Sequence, residues 1–308
     1  MRGLLVVNPK ATTTNDVIRD VLISALADKF HLEVVTTTHR GHARELGARA
    51  RAEEMDCILT LGGDGTVHEV VNGLLAEGPA TGLPVLGTVP GGSANVFARA
   101  LGFPQDAVES TGRLLRAMRD GKTRTISLGA YEQSYFTFTA GLGIDAEIMQ
   151  RMEAARADGK GATPTRYLAT TLRQFFGGTD RKSPSLILHR EGEAPVEGVF
   201  LAIVQNTSPW TYFGAHPVNP SPRASFETGL DLWATRSLGV PHALRMGTRM
   251  LRSRDRGRPK GIVAWHDQAE FRITATRPTP MQVDGEVVAD VTDVVFRSVP
   301  RALRVYVP

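Results

Sequence analysis

Three short loops, rich in glycine and other small residues, carry the side chains of this sequence that could do chemistry. They read Asn8-Pro9-Lys10-Ala11-Thr12, Gly62-Gly63-Asp64-Gly65-Thr66 and Pro90-Gly91-Gly92-Ser93-Ala94-Asn95. Glycines let a backbone approach a ligand closely, and the hydroxyl groups of Thr66 and Ser93 can cap helices or donate hydrogen bonds to phosphate. Together the three loops predict a phosphate-binding site.

Asp64 is the member of these loops that is hardest to explain as structure alone. A carboxylate beside bound phosphates repels them unless it holds Mg²⁺ or a protonated hydroxyl group, and a divalent cation that bridges carboxylate and phosphate is the usual arrangement. Asp64 therefore favours nucleotide phosphoryl chemistry. The alternative is an ordinary turn before a helix, which the presence of all three loops disfavours.

Other known site patterns fit the sequence poorly. The Walker phosphate-binding pattern fails because Arg116 stands where its first glycine belongs, upstream of Gly121-Lys122-Thr123. The eight histidines are scattered and form no metal cluster with the single cysteine. His68 lies close to the second loop, where it is either a site residue or a solvated helix residue.

Each loop follows a predicted strand in the first third of the chain. Apolar runs at 3–7, 32–37, 57–61 and 84–89 alternate with helical patterns at 16–29, at 42–53 and from Val67 onward. Such alternation predicts βαβ units and a parallel sheet, in which ligands bind at the carboxyl ends of the strands. The three loops are therefore expected to meet at one edge.

The pattern changes near residues 125–130. Many short apolar runs follow, punctuated by Gly and Pro, with helices expected only at about 165–176 and 242–252. We therefore predict an α/β nucleotide-binding domain with a parallel sheet, residues 1–127, and a mostly antiparallel β-sandwich C-terminal domain, residues 128–289. Periodicity leaves open which domain the strands of 290–308 join.

Composition excludes some classes of protein. The sequence is 42% hydrophobic and 22% charged, as folded proteins usually are, and it has no apolar run long enough to span a membrane. The N-terminal apolar run is too short for a secretory signal, and Cys57 alone can form no intrachain disulfide. We expect a cytoplasmic protein.

A basic segment runs from Arg245 to Lys260. It holds seven basic residues and one acidic residue, a net charge of +6 against +4 for the whole chain. It is either a peripheral docking surface for anionic lipid or a solvated helix end, and without interleaved aromatic residues it does not indicate nucleic-acid binding. Trp210, Tyr212 and Phe213 could line an acyl-chain pocket or anchor the core.

Two glycine-rich motifs resemble those of the diacylglycerol kinase catalytic domain family, which includes bacterial lipid kinases, sphingosine kinases and ceramide kinases. They are GGDGTVHEVVNGLL, from Gly62, and PGGSANVFARALGFP, from Pro90. Further similar segments run along the whole chain and read NPKATTT, THRGHARELGARA, FTFTAGLGIDAEI and MQVDGEVV. The first motif alone would also fit NAD kinases; the second is typical of lipid kinases.

The resemblance implies an α/β domain and a β-sandwich with ATP in the cleft between them. It also implies that the C-terminal strands, about 290–308, return to the first domain. The positions that match the nucleotide-binding residues of the family are Asn8, Pro9, Lys10, Ala11, Thr12, Thr37, Gly62, Gly63, Asp64, Gly65, Thr66, Val67, His68, Glu69, Gly91, Gly92, Ser93 and Asn95.

The resemblance implies catalytic roles for Asp284, Glu286 and Asp64. Asp284-Gly285-Glu286 is similar to a family segment whose glutamate accepts the proton of the substrate hydroxyl, while other proposals give that role to the aspartate of the first motif. The pattern Asp284-Gly285 also predicts a hairpin turn, and the two interpretations are compatible, because a turn can present a catalytic carboxylate.

Two departures from the family concern Mg²⁺. Val96 stands where family members commonly have an aspartate of the metal network, and Thr228 stands where bacterial members have the aspartate of a structural Mg²⁺ site. The matching metal positions are Asp64 and, for the structural site, Ser225, Thr228 and Leu230. A hydroxyl is a weaker ligand than a carboxylate, so Glu227 or Asp231 would have to substitute.

The sequence thus predicts a lipid kinase that uses ATP and Mg²⁺, most simply on diacylglycerol to give phosphatidic acid, with peripheral contact at the inner face of the membrane. One alternative is phosphorylation of a soluble acceptor, as in NAD kinases. Another is a non-catalytic nucleotide- or lipid-binding regulator. The lipid acceptor and the oligomeric state, for which a homodimer is one option, stay open.

Overall fold

The computed structural model describes residues 2–11, 19–21, 23–24, 31–143, 183–251 and 260–308. The predicted helices at 16–29 and 165–176 lie largely or wholly outside these residues. The chain divides into two units: residues 1–128 with 300–308 form one, and residues 129–299 form the other.

The first unit contains a parallel sheet. Its strands are β1 (Arg2–Val7), β2 (His31–Thr36), β3 (Cys57–Gly62) and β4 (Val85–Pro90), in the order β4-β3-β1-β2. The strands β3 and β4 are buried along their whole length, because helices cover parallel sheets on both faces. At the outer side of β4, Val305 pairs in parallel with Leu86.

Helices follow or connect these strands, and the bounds of four of them lie in the described residues. They are α1 (His42–Ala52), α2 (Asp64–Leu74), α3 (Val96–Ala100) and α4 (Ala107–Asp120). The backbones of α1 and α2 approach closely at Gly47 and Gly73, where any Cβ atom would collide with the other helix. The N-terminal turns of both helices lie at the same edge of the sheet because each helix follows a strand that runs parallel to its neighbours.

The second unit is built from antiparallel pairs. The elements from residue 123 onward are β5 (Thr123–Tyr131), β6 (Ser134–Phe136), β7 (Thr139–Gly143), β8 (Leu186–His189), β9 (Val196–Val199), β10 (Leu201–Gln205), β11 (Thr211–Phe213), β12 (His216–Val218), β13 (Leu230–Thr235), α5 (Val240–Leu251), β14 (Ile262–Gln268), β15 (Glu270–Val283) and β16 (Glu286–Tyr306). The main path of paired strands is β14-β13-β10-β7-β15-β16, while β8 pairs with β15 and β9, and β5 pairs with β6. Strands β5 and β16 each contribute residues to both units.

The predicted fold class is confirmed: parallel strands with helices come first, and an antiparallel, strand-rich unit follows. From the sequence pattern, several shorter strands were expected where the structure has the two long strands β15 and β16. The pairing between these two strands shifts in register between Thr274 and Thr279 and between Met281 and Gln282. Such irregularities let paired strands continue past the prolines near residue 280. Among the described residues, no helix is both long and apolar enough to cross a bilayer.

Candidate nucleotide-binding site

The three predicted loops lie side by side at the carboxyl ends of the parallel strands. Directly after β1, the N–H of Asn8 donates to the carbonyl of Leu61 at 3.0 Å. Directly after β4, the N–H of Gly91 donates to the carbonyl of Gly62 at 2.8 Å. These hydrogen bonds extend the pairing of the strands into the loops. The three loops therefore meet at one edge of the sheet, as the sequence predicted.

The second and third loops pack directly on each other's backbone. A Cβ atom at Gly92 would lie 2.7 Å from the Cα of Gly63, and one at Gly62 would lie 2.6 Å from the hydroxyl oxygen of Thr66. Gly92 leaves no room for a side chain between the two loops, and Gly62 leaves none within the second loop, where Thr66 follows. Their packing places both motifs on one continuous backbone surface.

The first loop forms a turn that is tied to α2. The amide nitrogen of Asn8 donates to the hydroxyl oxygen of Thr66 at 3.0 Å, and its amide oxygen accepts from the N–H of Lys10 at 3.0 Å. The N–H of Ala11 donates to the carbonyl of Asn8 at 3.2 Å. Thr12 lies outside the described residues.

Asp64 holds the third loop through its carboxylate. The N–H of Val96 donates to Oδ2 and the N–H of Phe97 donates to Oδ1, both at 3.0 Å. These are the first two residues of α3, whose N–H groups have no partner within the helix. Asp64 thus caps a helix that starts more than thirty residues later in the chain. The spacing of residues in the sequence did not predict this contact.

Asn95 shapes the turn just before α3. It has a left-handed backbone with φ 48°, which asparagine tolerates better than most residues. Its side chain accepts from the N–H of Gly92 at 2.8 Å and donates to the carbonyl of Gly92 at 2.7 Å. Asn95 is buried, so it organises the third loop from within rather than facing a ligand.

Glu69 holds the segment that follows β2. In that segment the N–H of Thr37 donates to the carbonyl of Val7 at 2.8 Å, which places Thr37 at the same edge. Farther along, the N–H groups of Gly41 and Ala43 donate to Glu69 at 2.9 and 3.1 Å. The carboxylate of Glu69 therefore caps α1 from the neighbouring helix.

The remaining members of the predicted nucleotide set differ in what they can offer. Val67 is buried in the core, so only its backbone could meet a ligand. The carbonyl of His68 accepts from the side chain of Asn72 at 2.9 Å, within the same helix. The exposed members of the whole predicted set are Pro9, Lys10 and Ser93. The partly exposed members are Asn8, Ala11, Thr37, Gly63, Asp64, Gly65, His68, Glu69 and Gly92.

Asp284 and Glu286, in the second unit, have different surroundings. Asp284 is only 3% exposed, and its carboxylate accepts from the N–H groups of Thr137, Phe138 and Thr139 and from the hydroxyl of Thr137, at 2.8 to 3.2 Å. Asp284-Gly285 is a two-residue turn with φ 49° and 83°, which confirms the predicted hairpin. Glu286 follows the turn and is partly exposed.

The predicted metal positions stay predictions. Mg²⁺ in proteins is usually held by one or two carboxylates together with substrate phosphates and water. The described part of the chain gathers no group of three acidic, His or Cys side chains that could hold a metal. Near the predicted structural site, the hydroxyl of Thr228 donates to the carbonyl of Ser225 at 3.1 Å. The side chain of Leu230 is buried. No chemical step is therefore assigned to a metal held by these residues.

A buried carboxylate, Asp231, lies beside this segment. It accepts from the N–H of Asp267 at 3.1 Å, and its Oδ1 lies 2.7 Å from Nδ1 of His266. Burial raises the pKa of Asp231 above its usual value, against the lowering effect of these hydrogen bonds. Asp267, with φ 57°, accepts from the N–H of Gly229 at 2.6 Å. The sequence suggested Asp231 only as a substitute metal ligand.

The aromatic segment 210–213 is only partly described. Trp210 packs at the edge of a small cluster formed by Ile203, Trp233 and Met246, which favours the core-anchor alternative for this residue. Met246 belongs to α5, so this helix is attached to the sheet through the cluster.

Comparison with known proteins agrees with the motifs. Residues 2–131 match the family model of the diacylglycerol kinase catalytic domain. A diacylglycerol kinase of Bacillus subtilis (strain 168) is 34% identical over 147 residues, 46% of each chain. A lipid kinase YegS-like protein of Chromohalobacter salexigens is 36% identical over 118 residues, 38% of this chain and 36% of that protein. The matches thus span less than half of these relatives.

Solved structures share the fold over nearly the whole chain. A diacylglycerol kinase from Bacillus anthracis str. Sterne superposes with a TM-score of 0.77 at 23% identity, covering 100% of this chain and 97% of the other. An NAD kinase from Archaeoglobus fulgidus in complex with ATP gives a TM-score of 0.52 at 12% identity, covering 99% and 93%.

Proposed function

We propose that this chain, whose residues 2–131 carry a diacylglycerol kinase catalytic domain, transfers the γ-phosphate of ATP to a lipid hydroxyl, with diacylglycerol as acceptor and phosphatidic acid as product. The observation that carries the proposal is the meeting of three small-residue loops at one edge of the parallel sheet, joined by the hydrogen bonds from Asn8 and Gly91.

The edge suits the phosphates of a nucleotide for two physical reasons. The first turn of α2 begins there, at Asp64, and the N-terminus of a helix favours negative charge. The glycines of the second and third loops leave the backbone bare, so that N–H groups can approach phosphate oxygens without steric hindrance. Lys10 on the first loop and Ser93 on the third are exposed and can donate to those oxygens.

Glu286 is proposed as the general base. Its carboxylate would take the proton of the lipid hydroxyl as that oxygen bonds to the γ-phosphorus, while the bond from this phosphorus to the β-phosphate oxygen breaks and ADP leaves. Asp284 is saturated with backbone hydrogen bonds and buried, so its part is to fix the hairpin from which Glu286 projects.

The test is transfer of labelled γ-phosphate from ATP to diacylglycerol, sphingosine and ceramide in separate mixed micelles, with NAD as a soluble acceptor. We expect label in diacylglycerol. Label in NAD alone would replace the lipid with a soluble acceptor. Binding of ATP with no label in any acceptor would favour the non-catalytic regulator, for which the absent carboxylates at Val96 and Thr228 are the motivation.

We further propose that α5 contacts an anionic membrane surface, where the lipid substrate resides. Met246 and Met250 face the cluster around Trp233, while Arg245 is exposed and Leu251 is 50% exposed. An apolar side chain beside an exposed arginine suits an anionic interface, where one basic residue contributes about 1 kcal/mol. The rest of the predicted basic segment, residues 252–259, lies outside the described residues.

Arg245→Glu should weaken sedimentation with vesicles that contain phosphatidylglycerol, and should leave sedimentation with pure phosphatidylcholine vesicles unchanged. Arg116→Glu, on the exposed face of α4, is the matched control. Equal weakening by both variants would mean that net charge, rather than α5, governs the binding.

A further inference from the structure

Three polar side chains near the N-terminus of α2 each hold a different neighbouring segment. Asp64 accepts from the backbone at the start of α3, Thr66 accepts from Asn8 in the first loop, and Glu69 accepts from the backbone at the start of α1. All three neighbours border the edge where the loops meet. The first two turns of α2 therefore fix the positions of the surrounding segments.

We infer that Asp64 and Glu69, the two acidic residues of the glycine-rich motif, are positioning residues that shape the phosphate-binding edge through backbone N–H groups, and that neither recruits Mg²⁺. The inference rests on the proposed use of ATP but not on the identity of the acceptor. It differs from the sequence-based expectation that Asp64 binds metal and that Glu69 contacts the nucleotide.

The geometry supports this inference at each residue. Both oxygens of Asp64 accept from N–H groups of α3, and both oxygens of Glu69 accept from N–H groups at the start of α1, those of Gly41 and Ala43. A carboxylate beside a helix N-terminus is stabilised by the helix dipole as well as by these hydrogen bonds. The neighbouring position that would add a second metal carboxylate is Val96, whose side chain is 2% exposed and part of the core.

The two roles predict opposite effects on ATP binding when no metal is present. If Asp64 serves mainly to bind Mg²⁺, it repels metal-free ATP, and removing its charge should leave binding unchanged or strengthen it. If Asp64 is a positioning residue, replacing its carboxylate disorganises the third loop, and the chain binds ATP more weakly even when no metal is present. Asparagine is a suitable probe, because its NH₂ group would face one of the two N–H donors that the carboxylate now accepts.

The experiment measures ATP binding to the whole chain by ligand-observed NMR, first in excess EDTA and then with Mg²⁺, for wild type, Asp64→Asn and Glu69→Gln. We expect both variants to bind metal-free ATP about tenfold more weakly, the loss of one charge-assisted hydrogen bond. The Mg²⁺ concentration for half-maximal activity should be unchanged, and the KM for ATP should rise more than kcat falls.

Asp106→Ala is the control. Asp106 also caps a helix, because its carboxylate accepts from the N–H of Glu109 at 2.8 Å at the start of α4. Loss of a helix cap costs about 0.5–2 kcal/mol, so this variant should lose stability and still bind ATP as the wild type does. Weaker ATP binding in Asp106→Ala would show that lost stability, rather than position, explains the other two variants.

The inference would be overturned if the Asp64→Asn variant bound metal-free ATP at least as tightly as wild type and needed much more Mg²⁺ for activity. A wild-type chain that binds no ATP would overturn both the inference and the proposed function. A wild-type chain that binds ATP but phosphorylates no lipid would overturn only the proposed function.

Discussion

Gly63 and Gly92 lie backbone against backbone: a Cβ atom on Gly92 would be 2.7 Å from the Cα of Gly63, and one on Gly63 would be 3.2 Å from the Cα of Gly92. At this contact each of the two glycine-rich motifs reaches its closest approach to the other. This contact is the reason that two motifs distant in sequence form one surface, and it leaves no room for adjustment by a flexible side chain.

Gly92→Ala should therefore separate the two loops. We expect a loss of about 1–3 kcal/mol in the free energy of unfolding, which is typical of overpacking, together with weaker ATP binding. Urea unfolding and ATP titration would measure the two effects.

Gly112→Ala provides the control for this substitution. Gly112 lies inside α4, and nothing lies within 4 Å of a Cβ atom placed there. Alanine should stabilise the helix by about 0.5–1 kcal/mol and leave ATP binding unchanged. Equal, small effects of both substitutions would contradict the close packing of the two loops.

Asp284 and Glu286 should respond differently to removal of their charges. Asp284→Asn keeps the left-handed backbone but places an NH₂ group against backbone donors, and should cost about 2–4 kcal/mol in the free energy of unfolding. Glu286→Gln should change stability by less than about 1 kcal/mol and reduce kcat by about 10²–10⁴-fold. Normal turnover in Glu286→Gln would remove the general-base assignment.

Cys57 should be inert to alkylation while the chain is folded. Burial, with a smaller contribution from the charge of Asp56, raises the pKa of its thiol from 9.0 to about 12, and the side chain is fully buried. The thiolate, which is the reactive form, is thus about a thousandfold rarer than in a free cysteine at the same pH. Mass spectrometry after iodoacetamide should find label only once urea is added; rapid labelling without urea would contradict the burial.

Asp231 should make a measurable contribution to the pH dependence of stability. Because burial raises its pKa in the folded chain above the value of 3.8, the folded chain binds a proton at a higher pH than the unfolded chain. Its contribution to stability therefore grows as the pH falls toward 3.8 and is lost as the pH rises through the raised pKa. The wild type should gain stability relative to Asp231→Asn between about pH 7 and about pH 4 in urea unfolding.

A difference between wild type and Asp231→Asn that does not change over this pH range would contradict the raised pKa.

The parallel sheet and its loops were predictable, because buried runs such as Cys57–Gly62 and the glycines that follow them are local patterns. The partners of Asp64 and Glu69 were not, because a carboxylate that caps a helix elsewhere in the chain has no sequence period. The sequence pattern also left out the short hairpin of β11 and β12, which has three residues in each strand. The assignments of Glu286 and of the nucleotide contacts stay predictions.

The final segment of the first unit, Pro300–Pro308, has a consequence for the order of biosynthesis. Val305 pairs with Leu86, and Tyr306 is buried beside the sheet, yet this segment is made about 170 residues after Leu128. At ribosomal rates the delay is roughly 10–30 s. Throughout that interval the nascent first unit presents the outer side of β4 without its native neighbour, an open sheet edge of the kind that promotes association between chains.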